Sequence, residues 1–224
     1  MFGAIAGRYD CLNHILSANV DRRWRRACVR EIEGRNRVPN PEILDLGCGT
    51  ADLSIAFSGM GKVFGCDFSL PMLRIGLEKI GAGGYEGRIF LAGGDALELP
   101  FADASFDIVV SAFVLRNLAD IGRGFREAQR VLRPGGVLGV LDFGMPASPV
   151  WAPVYRLYFQ NVLPKIGRIL SGVDGPYGYL PDSVTAFPTL ERLREMAEDA
   201  GYREVDARRL TGGIAVLLSG RKPE

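Results

Sequence analysis

The stretch Ile43-Leu44-Asp45-Leu46-Gly47-Cys48-Gly49-Thr50-Ala51-Asp52 decides the fold of this protein. Its first four residues have the composition of a short buried strand. The glycines that follow let the backbone turn tightly into a helix and approach a ligand at the carboxyl end of a sheet. Four more apolar runs of strand type come later, at 62–67, 88–91, 106–113 and 137–141. Apolar strands that alternate with helices predict a parallel α/β sheet with both faces covered.

The segments around this core complete a seven-stranded sheet. Ser69 and Thr189 are placed to cap helices. A weak helix follows from Asp120, and Pro134-Gly135-Gly136 is expected to end it. The last two strands, around 202–209 and 213–219, are joined by a short glycine turn and predict an antiparallel hairpin. We therefore expect a doubly wound α/β fold with a mostly parallel, Rossmann-like sheet whose last strand is antiparallel.

Two further segments are predicted to lie over this sheet. Residues 1–40 read as a helical N-terminal cover, and the aromatic, proline-rich residues 146–188 read as a lid insertion. Together with the sheet they form a single domain over residues 1–224.

Composition excludes several classes of protein. The 224 residues include 29 glycines, four cysteines and one histidine, His14, so one chain cannot supply two histidine ligands to a metal. No Cys-x-x-Cys pair is present, which argues against zinc and predicts free, mostly buried thiols in a reducing compartment. A net charge of +1 gives no signature of nucleic-acid binding. No apolar run approaches about 18 residues and no secretory layout begins the chain, so we expect a cytoplasmic protein.

Two classes of ligand compete for the glycine loop. A dinucleotide fold expects Gly or Ala at the sixth position of G-x-G-x-x-G, where Asp52 would repel a pyrophosphate; no Gly-Lys-Ser/Thr supports a P-loop either. S-adenosylmethionine has an ammonium and a sulfonium group and no phosphate, so it suits that acid. Asp67, after the second strand, is placed to accept both ribose hydroxyls, and Asp95, after the third, to accept from the adenine amino group. The alternative for each acid is capping or turn formation, with Asp52 as a helix N-cap.

A set of motifs in fixed order resembles the class I methyltransferases: Asp45–Asp52, Asp67-Phe68-Ser69-x-x-Met72-Leu73, Gly94-Asp95-Ala96-x-x-Leu99-Pro100-Phe101, Ser105-Phe106-Asp107 and Leu132-Arg133-Pro134-Gly135-Gly136. More narrowly, the chain resembles the menaquinone/ubiquinone C-methyltransferase family, over essentially its whole length. The motifs that narrow it are Tyr9-Asp10-x-Leu12-Asn13-x-x-Leu16-Ser17, Asp21–Arg26, Leu115-Arg116-Asn117, Tyr177-x-Tyr179-Leu180-x-x-Ser183-x-x-Ala186-Phe187-Pro188 and Leu210-Thr211-Gly212-Gly213-Ile214.

The resemblance implies a cofactor and a cofactor site. The cofactor is S-adenosyl-L-methionine. The positions that carry over to this sequence are Thr50, Asp67, Asp95, Ala96 and Ser111, and the predicted cofactor site also includes the loop glycines Gly47 and Gly49 and the neighbouring Phe68. Ala96 would act through its backbone N–H. The family usually has Gly where Ala51 stands, and often a histidine where Leu218 stands.

The resemblance also implies a reaction, the methylation of a ring carbon on a prenylated hydroquinone. The expected step converts demethylmenaquinol to menaquinol. The 2-polyprenyl-6-methoxy-1,4-benzoquinol of ubiquinone biosynthesis is expected as a second substrate. A phenolate would push electrons to its ortho carbon, and the predicted catalytic residues are Arg116, Asn117, Tyr9 and Tyr177. Arg116 would stabilise the phenolate, Asn117 would hold a quinol oxygen, and the tyrosines would bind ring hydroxyls. His14 is an alternative base, and the alternative role for Arg116 is an ion pair with Asp107 or Asp120.

A membrane-resident substrate suggests further contacts. Residues 146–188 could form an apolar tunnel for the prenyl tail. Arg22, Arg23, Arg25 and Arg26 are either a solvated helix face or a contact with anionic lipid at the inner face of the membrane. A homodimer is compatible with the sequence. Two rival functions stay open: methylation of another small molecule, and a non-catalytic module that binds S-adenosylmethionine or a nucleotide.

Overall fold

The fold is a seven-stranded sheet. The computed structural model describes residues 20–146 and 183–224, together with residues 148, 152, 153, 155 and 157. The strands are β1 (Glu42–Leu46), β2 (Lys62–Asp67), β3 (Ile89–Gly93), β4 (Phe106–Ala112), β5 (Leu132–Phe143), β6 (Arg203–Leu210) and β7 (Ala215–Arg221). Their order in the sheet is β3-β2-β1-β4-β5-β7-β6. The chain reverses direction across the sheet between β1 and β4, and ligands of α/β folds bind at such a switch point.

The strand directions confirm the predicted mixed sheet. β1 pairs in parallel with β2 and β4, β2 with β3, and β4 with β5. β7 runs antiparallel to both of its neighbours, β5 and β6. The predicted closing hairpin is therefore confirmed, and its last strand inserts between β5 and β6 instead of lying at the edge.

Helices cover both faces of the sheet, as the apolar strands predict. The described helices are α1 (Val20–Arg35), α2 (Asp52–Phe57), α3 (Leu70–Gly83), α4 (Ile121–Val131) and α5 (Leu190–Asp199). Apolar side chains of α1, α2 and α3 share one buried cluster with the sheet, and those of α4 and α5 share another. The doubly wound architecture follows from these two separate cores.

Helix ends confirm the predicted cap at Thr189, show a further one at Asp120 and correct one boundary. Asp120 caps α4 by accepting from the Arg123 N–H, and Thr189 caps α5 in the same way. Ser69 occupies the N-cap position of α3 but makes no side-chain capping bond. Pro134-Gly135-Gly136 does not end α4. That helix ends at Val131, and the three residues lie within β5, beside a register shift against β4 where the turn-forming glycine is accommodated as an irregularity of the strand.

A hydrogen bond joins two distant segments whose motifs mark the family resemblance. The indole Nε1–H of Trp24, on α1, donates to the hydroxyl of Thr211 at 2.8 Å. Thr211 opens the 3-10 turn Thr211–Gly213 that connects β6 to β7. The N-terminal helix is thereby fastened to the closing hairpin.

The described cysteines are buried free thiols, as predicted: Cys28, Cys48 and Cys66. Burial raises the pKa of Cys28 to about 12 and that of Cys66 to about 11. None of the helices in the described part of the chain is both long and apolar enough to cross a bilayer. The predicted catalytic residues Tyr9 and Tyr177, the alternative base His14 and the fourth cysteine, Cys11, lie outside the described residues.

Candidate active site

The glycine loop folds against the carboxyl end of β2. The N–H of Gly47 donates to the Cys66 carbonyl at 2.8 Å, and the N–H of Gly49 donates to Asp67 Oδ2 at 2.8 Å. Gly47 has φ +70°, and a Cβ there would lie 2.4 Å from a methyl of Val114. Only glycine fits this position, so the loop exposes backbone and not side chains to the space above it.

Asp67 is the last residue of β2 and Asp95 lies two residues after β3, so both acids stand at the ends of neighbouring strands, as the spacing predicted. The two carboxylate oxygens of Asp67 accept the N–H groups of Gly49 and Ser69, each at 2.8 Å. Partial burial nevertheless raises the pKa of this carboxyl above its ordinary value. Asp95 is exposed and accepts the Leu97 N–H through Oδ1 at 2.8 Å. Both carboxylates keep lone pairs that can accept further hydrogen bonds.

Two other predicted cofactor residues flank these acids. The ring of Phe68, directly after Asp67, is 74% exposed. An uncovered aromatic ring at the carboxyl edge of a sheet is a suitable stacking surface for a planar base. Ala96 follows Asp95 and is partly buried. The four residues Asp67, Phe68, Asp95 and Ala96 therefore adjoin one another at the ends of β2 and β3.

Asp45 is a buried acid beneath the loop. Its Oδ2 accepts from the Ser54 hydroxyl at 2.6 Å, while its Oδ1 is buried and has no hydrogen-bond partner among the described residues. Burial raises the pKa of Asp45 to about 7, although the Ser54 hydrogen bond and the charge of Arg25 oppose the rise. A carboxyl in this state changes its charge near neutral pH, directly under the predicted cofactor loop.

The N-cap role for Asp52 is wrong. Asp52 is the first residue of α2, and the N-cap is Ala51, in the left-handed region at φ 67° with no side-chain capping bond. Asp52 instead forms ion pairs with Lys79, from α3, and with Arg25 Nη2, from α1, at 3.6 Å. The acid that the sequence assigns to the cofactor's ammonium group is thus part of a charge cluster that joins three helices.

Thr50 and Ser111 are both buried beside the loop. Lys79 Nζ donates to Thr50 Oγ1 at 3.3 Å. The hydroxyl of Ser111, on β4, donates to the carbonyl of Leu46, on β1, at 2.8 Å. The Ser111 proton is therefore used to hold the two strands together, and its oxygen can act on a ligand only as an acceptor.

Arg116 forms a buried ion pair, but not with either predicted partner. It lies in the 3-10 turn Leu115–Asn117 after β4, and its Nη1 is 2.7 Å from Asp142 Oδ1. The Arg116 side chain is 5% exposed and that of Asp142 0%. Asp107 pairs with Arg133 instead, and Asp120 with Arg126. Asp142 is the nearer acid because β5 runs parallel to β4 and brings its carboxyl end beside this turn.

Two polar atoms at this position have no partner among the described residues. They are Arg116 Nε and Asn117 Oδ1, and both are buried. Asp142 also accepts the Phe143 N–H at 2.8 Å, and the guanidinium of Arg116 lies over the Phe143 ring, 5.0 Å from its centre. The ion pair and the ring hold the guanidinium in place, while one donor and one neighbouring acceptor stay available.

Aromatic side chains form the wall beside these groups. Trp24, Phe113 and Phe143 contact one another with ring centroids 4.7–6.3 Å apart. Phe143 also packs against Val184, which belongs to the 146–188 insertion and packs against Tyr155 of the same insertion. The described part of that insertion therefore reaches the carboxyl end of β5.

Sequence reasoning missed two charged residues of the site. Asp142 lies near the carboxyl end of the apolar strand β5, as Asp67 lies at the end of β2, so the rule that located Asp67 applies to it as well. Arg25 belongs to a run of arginines that the sequence treats alike, but its side chain is only 14% exposed. The periodicity of α1 could have distinguished Arg25 from the other arginines. The buried face of this helix contains Asp21, Trp24, Cys28 and Ile32, and Arg25 lies at the border of that face.

The residues present fit a cationic nucleoside better than a dinucleotide. Asp45, Asp52 and Asp67 surround the loop where a pyrophosphate would lie, and Asp67 stands at the end of β2, where a ribose would be held. The buried Oδ1 of Asp45, which has no hydrogen-bond partner among the described residues, leaves a free acceptor beneath this loop. S-adenosylmethionine, with two positive centres and no phosphate, matches this set of groups.

Comparison with known proteins agrees with this fit. The model of the ubiE/COQ5 methyltransferase family matches residues 1–222. A demethylmenaquinone methyltransferase of Deinococcus radiodurans is 46% identical over 225 residues, which cover 99% of this chain and 91% of the relative. The ubiquinone/menaquinone biosynthesis C-methyltransferase UbiE of Geotalea daltonii is 38% identical, over 99% of this chain and 94% of the relative.

The fold is also found in solved structures of more distant sequence. A SAM-dependent methyltransferase from Aquifex aeolicus superimposes with a TM-score of 0.63 at 18% identity, over 86% of this chain and 87% of the other. That likeness extends to the fold alone. The family match shows that the chain belongs to the ubiE/COQ5 methyltransferase family and is an S-adenosyl-L-methionine-dependent methyltransferase.

Proposed function

We propose that this enzyme methylates a ring carbon of a prenylated hydroquinone, converting demethylmenaquinol to menaquinol. The names of the relatives support this substrate, because the 46% identical protein is a demethylmenaquinone methyltransferase that aligns over 99% of this chain. The observation that carries the proposal is the pair of buried, unpartnered atoms Arg116 Nε and Asn117 Oδ1, among the described residues, at the carboxyl end of β4.

The cofactor would lie along the carboxyl edge of the sheet. Asp95 would accept from the adenine amino group, Phe68 would stack on the base, and Asp67 would accept from the ribose hydroxyls. The bare backbone of Gly47 and Gly49 leaves room above the loop. When bound, S-adenosylmethionine supplies an electrophilic methyl group and becomes a neutral thioether.

The quinol would be oriented by the two unpartnered atoms. Arg116 Nε–H donates to the oxygen that becomes a phenolate, and Asn117 Oδ1 accepts from a ring hydroxyl. Asp142 keeps the guanidinium in one orientation, which matters because correct alignment of reacting groups is worth about 7–11 kcal/mol in well-oriented reactions. Tyr9 and Tyr177 are proposed as further hydrogen-bond partners of the ring hydroxyls.

The insertion would cover the apolar part of the substrate. Val184 packs against both Phe143 and Tyr155, and the Phe143 ring lies against the Arg116 guanidinium. A cover at this place suits a prenyl tail that extends from the quinol ring in the direction away from the cofactor. We propose that residues 146–188 act as this lid and residues 1–40 as an N-terminal cover, within a single domain.

A methyl-transfer assay with mass detection tests the proposal. Demethylmenaquinol and the polyprenyl methoxybenzoquinol are offered separately, since the Geotalea daltonii relative carries both pathways in its name. We expect a mass gain of one methyl on demethylmenaquinol. Arg116→Ala should lower the turnover by about two orders of magnitude or more while the affinity for S-adenosylhomocysteine stays near that of the wild type. Arg123→Ala, at an exposed arginine of α4, is the matched control.

Either of two results would refute the proposal. No methylation of any quinol, with S-adenosylhomocysteine bound normally, would move the enzyme to another small-molecule substrate. Unchanged turnover in Arg116→Ala would remove the assigned role of the guanidinium.

A peripheral membrane contact is proposed for the exposed arginines of α1. The side chains of Arg22, Arg23, Arg26 and Arg30 are exposed, whereas Arg25 turns into the charge cluster and is not part of this face. Each charge would contribute about 1 kcal/mol on an anionic surface. Vesicle sedimentation tests the contact. A variant in which Arg22, Arg23 and Arg26 are all changed to Glu should bind anionic vesicles at least tenfold more weakly than the wild type. Arg192→Glu/Arg194→Glu, on α5, is the control, and equal binding of both variants would rule the contact out. Light scattering of the protein without vesicles tests whether it forms a homodimer.

A further inference from the structure

The carboxylate of the cofactor's amino-acid end has no partner among the contacts described so far. Asp95, Asp67 and the glycine loop follow β3, β2 and β1, in the order in which these strands lie side by side. The next strand in that order is β4, which lies about 14 Å, or three inter-strand spacings, from β3. A nucleoside placed over β3 and β2 directs its amino-acid end toward the loop and the end of β4.

Arg25 reaches this place from the N-terminal helix. Its guanidinium carbon lies 5.4 Å from the centre of the Phe113 ring, and Phe113 directly follows β4. Its Nη2 is 3.6 Å from Asp52, the first residue of α2 after the loop. The guanidinium therefore stands between the end of β4 and the start of α2.

One donor of this guanidinium is left over. Arg25 Nη1 is ion-paired with Asp21, one turn earlier on α1, and Nη2 faces Asp52. Arg25 Nε is buried and has no hydrogen-bond partner among the described residues. A buried charged donor without a partner is costly, so such a group commonly marks a ligand contact.

The charges around Arg25 alternate in sign. Asp21, Arg25, Asp52 and Lys79 follow one another through the ion pairs Asp21–Arg25, Arg25–Asp52 and Asp52–Lys79. An α-amino acid in zwitterionic form adds one charge of each sign to this series. Its carboxylate can approach a cation and its ammonium an acid without creating a like-charge contact.

We propose that Arg25 binds the carboxylate of the cofactor's amino-acid end through Nε–H, so that the N-terminal helix supplies part of the cofactor site. This assignment rests on the proposed placement of adenine and ribose over β3 and β2. It gives the N-terminal cover a direct role in binding, beside its packing on the sheet.

Calorimetry with two cofactor analogues tests the role of Arg25. The probes are S-adenosylhomocysteine and its decarboxylated form, which keeps the ammonium group and lacks only the carboxylate. Arg25→Gln should lower the affinity for S-adenosylhomocysteine by about 10- to 100-fold, the usual effect of losing a hydrogen bond to a charged group. It should change the affinity for the decarboxylated analogue less than threefold. Arg25→Lys should recover part of the loss, because it keeps the charge. Arg22→Gln, at an exposed arginine of the same helix, should leave both affinities unchanged.

The same experiment separates a failure of Arg25 from a failure of the nucleoside placement. Equal weakening of both analogues by Arg25→Gln, or no weakening of either, would overturn the carboxylate assignment. Asp67→Asn should weaken both analogues alike, because both contain the ribose. If Asp67→Asn has no effect while Arg25→Gln stays selective, the ribose placement falls and the role of Arg25 stands.

Discussion

The buried carboxyl of Asp45 makes the stability of this protein depend on pH in a way that one substitution can isolate. Burial raises its pKa from 3.8 to about 7. The unfolded chain therefore loses this proton at a lower pH than the folded chain does. The stabilisation that protonation gives is complete below pH 4 and is lost as the pH rises to about 7.

The magnitude follows from the two pKa values. At about 1.4 kcal/mol per pKa unit, the ionised carboxyl costs the folded state about 4 kcal/mol once the pH exceeds 7. Between pH 5 and pH 8 the change is about 2.5 kcal/mol by the same relation. Asp45→Asn cannot ionise, so its free energy of unfolding should rise relative to the wild type by about this amount across that interval.

Urea denaturation of both proteins at pH 5, 6, 7 and 8 measures this difference. Other carboxyls titrate equally in the two proteins and cancel, and any hydrogen bond lost by the amide shifts the difference equally at each pH. Ser54→Ala is the control, since it removes the 2.6 Å hydrogen bond that lowers this pKa and should extend the loss of stability to higher pH. A difference that stays constant from pH 5 to pH 8 would refute the reasoning, because Asp45 would then have an ordinary pKa.

Three further predictions concern stability around the site. Asp142→Ala should lower the free energy of unfolding by about 3–5 kcal/mol, because it leaves the buried Arg116 charge unpaired; a loss below 1 kcal/mol in urea would contradict the ion pair. Trp24→Phe keeps an aromatic six-membered ring, but it loses the 2.8 Å hydrogen bond to Thr211 and part of the buried indole volume. At least about 1 kcal/mol should therefore be lost, seen as a Tm lower by about 2–4 °C or more. At Ala51 the left-handed φ of 67° costs the folded state about 1–2 kcal/mol, which glycine would avoid. Ala51→Gly would also give the unfolded chain more conformational entropy, which costs about 0.5–1 kcal/mol of stability. Its Tm should therefore equal or exceed that of the wild type, and a clear decrease would show that the methyl packing dominates.

Local patterns were sufficient to predict the sheet and the loop. Apolar strands, the glycines at 47 and 49, and capping residues such as Thr189 act over a few neighbouring positions, so their effects can be read along the chain. Acids directly after strands were located for the same reason. The Pro134-Gly135-Gly136 boundary failed because the helix already ends at Val131. The three residues form an irregularity of β5 between Leu132 and Val137, which both pair with β4.

Partners that are distant in the chain could not be predicted in this way. The choice of Asp142 over Asp107 and Asp120 depends on which strand lies beside β4 and on where that strand ends. Arg25 looks like its neighbours in sequence, and only the packing of α1 separates it from the exposed arginines.

The sequence by itself determined the alternating α/β order, the position of the glycine loop, the acids that follow β1, β2 and β3, and the resemblance to a methyltransferase family. These features depend on residue type and short spacing. The tertiary structure alone decided which charges meet: Asp52 with Lys79 and Arg25, and Arg116 with Asp142. It also decided which polar atoms are buried without a partner, because burial and pairing are properties of segments that meet only when the sheet and its helices are assembled.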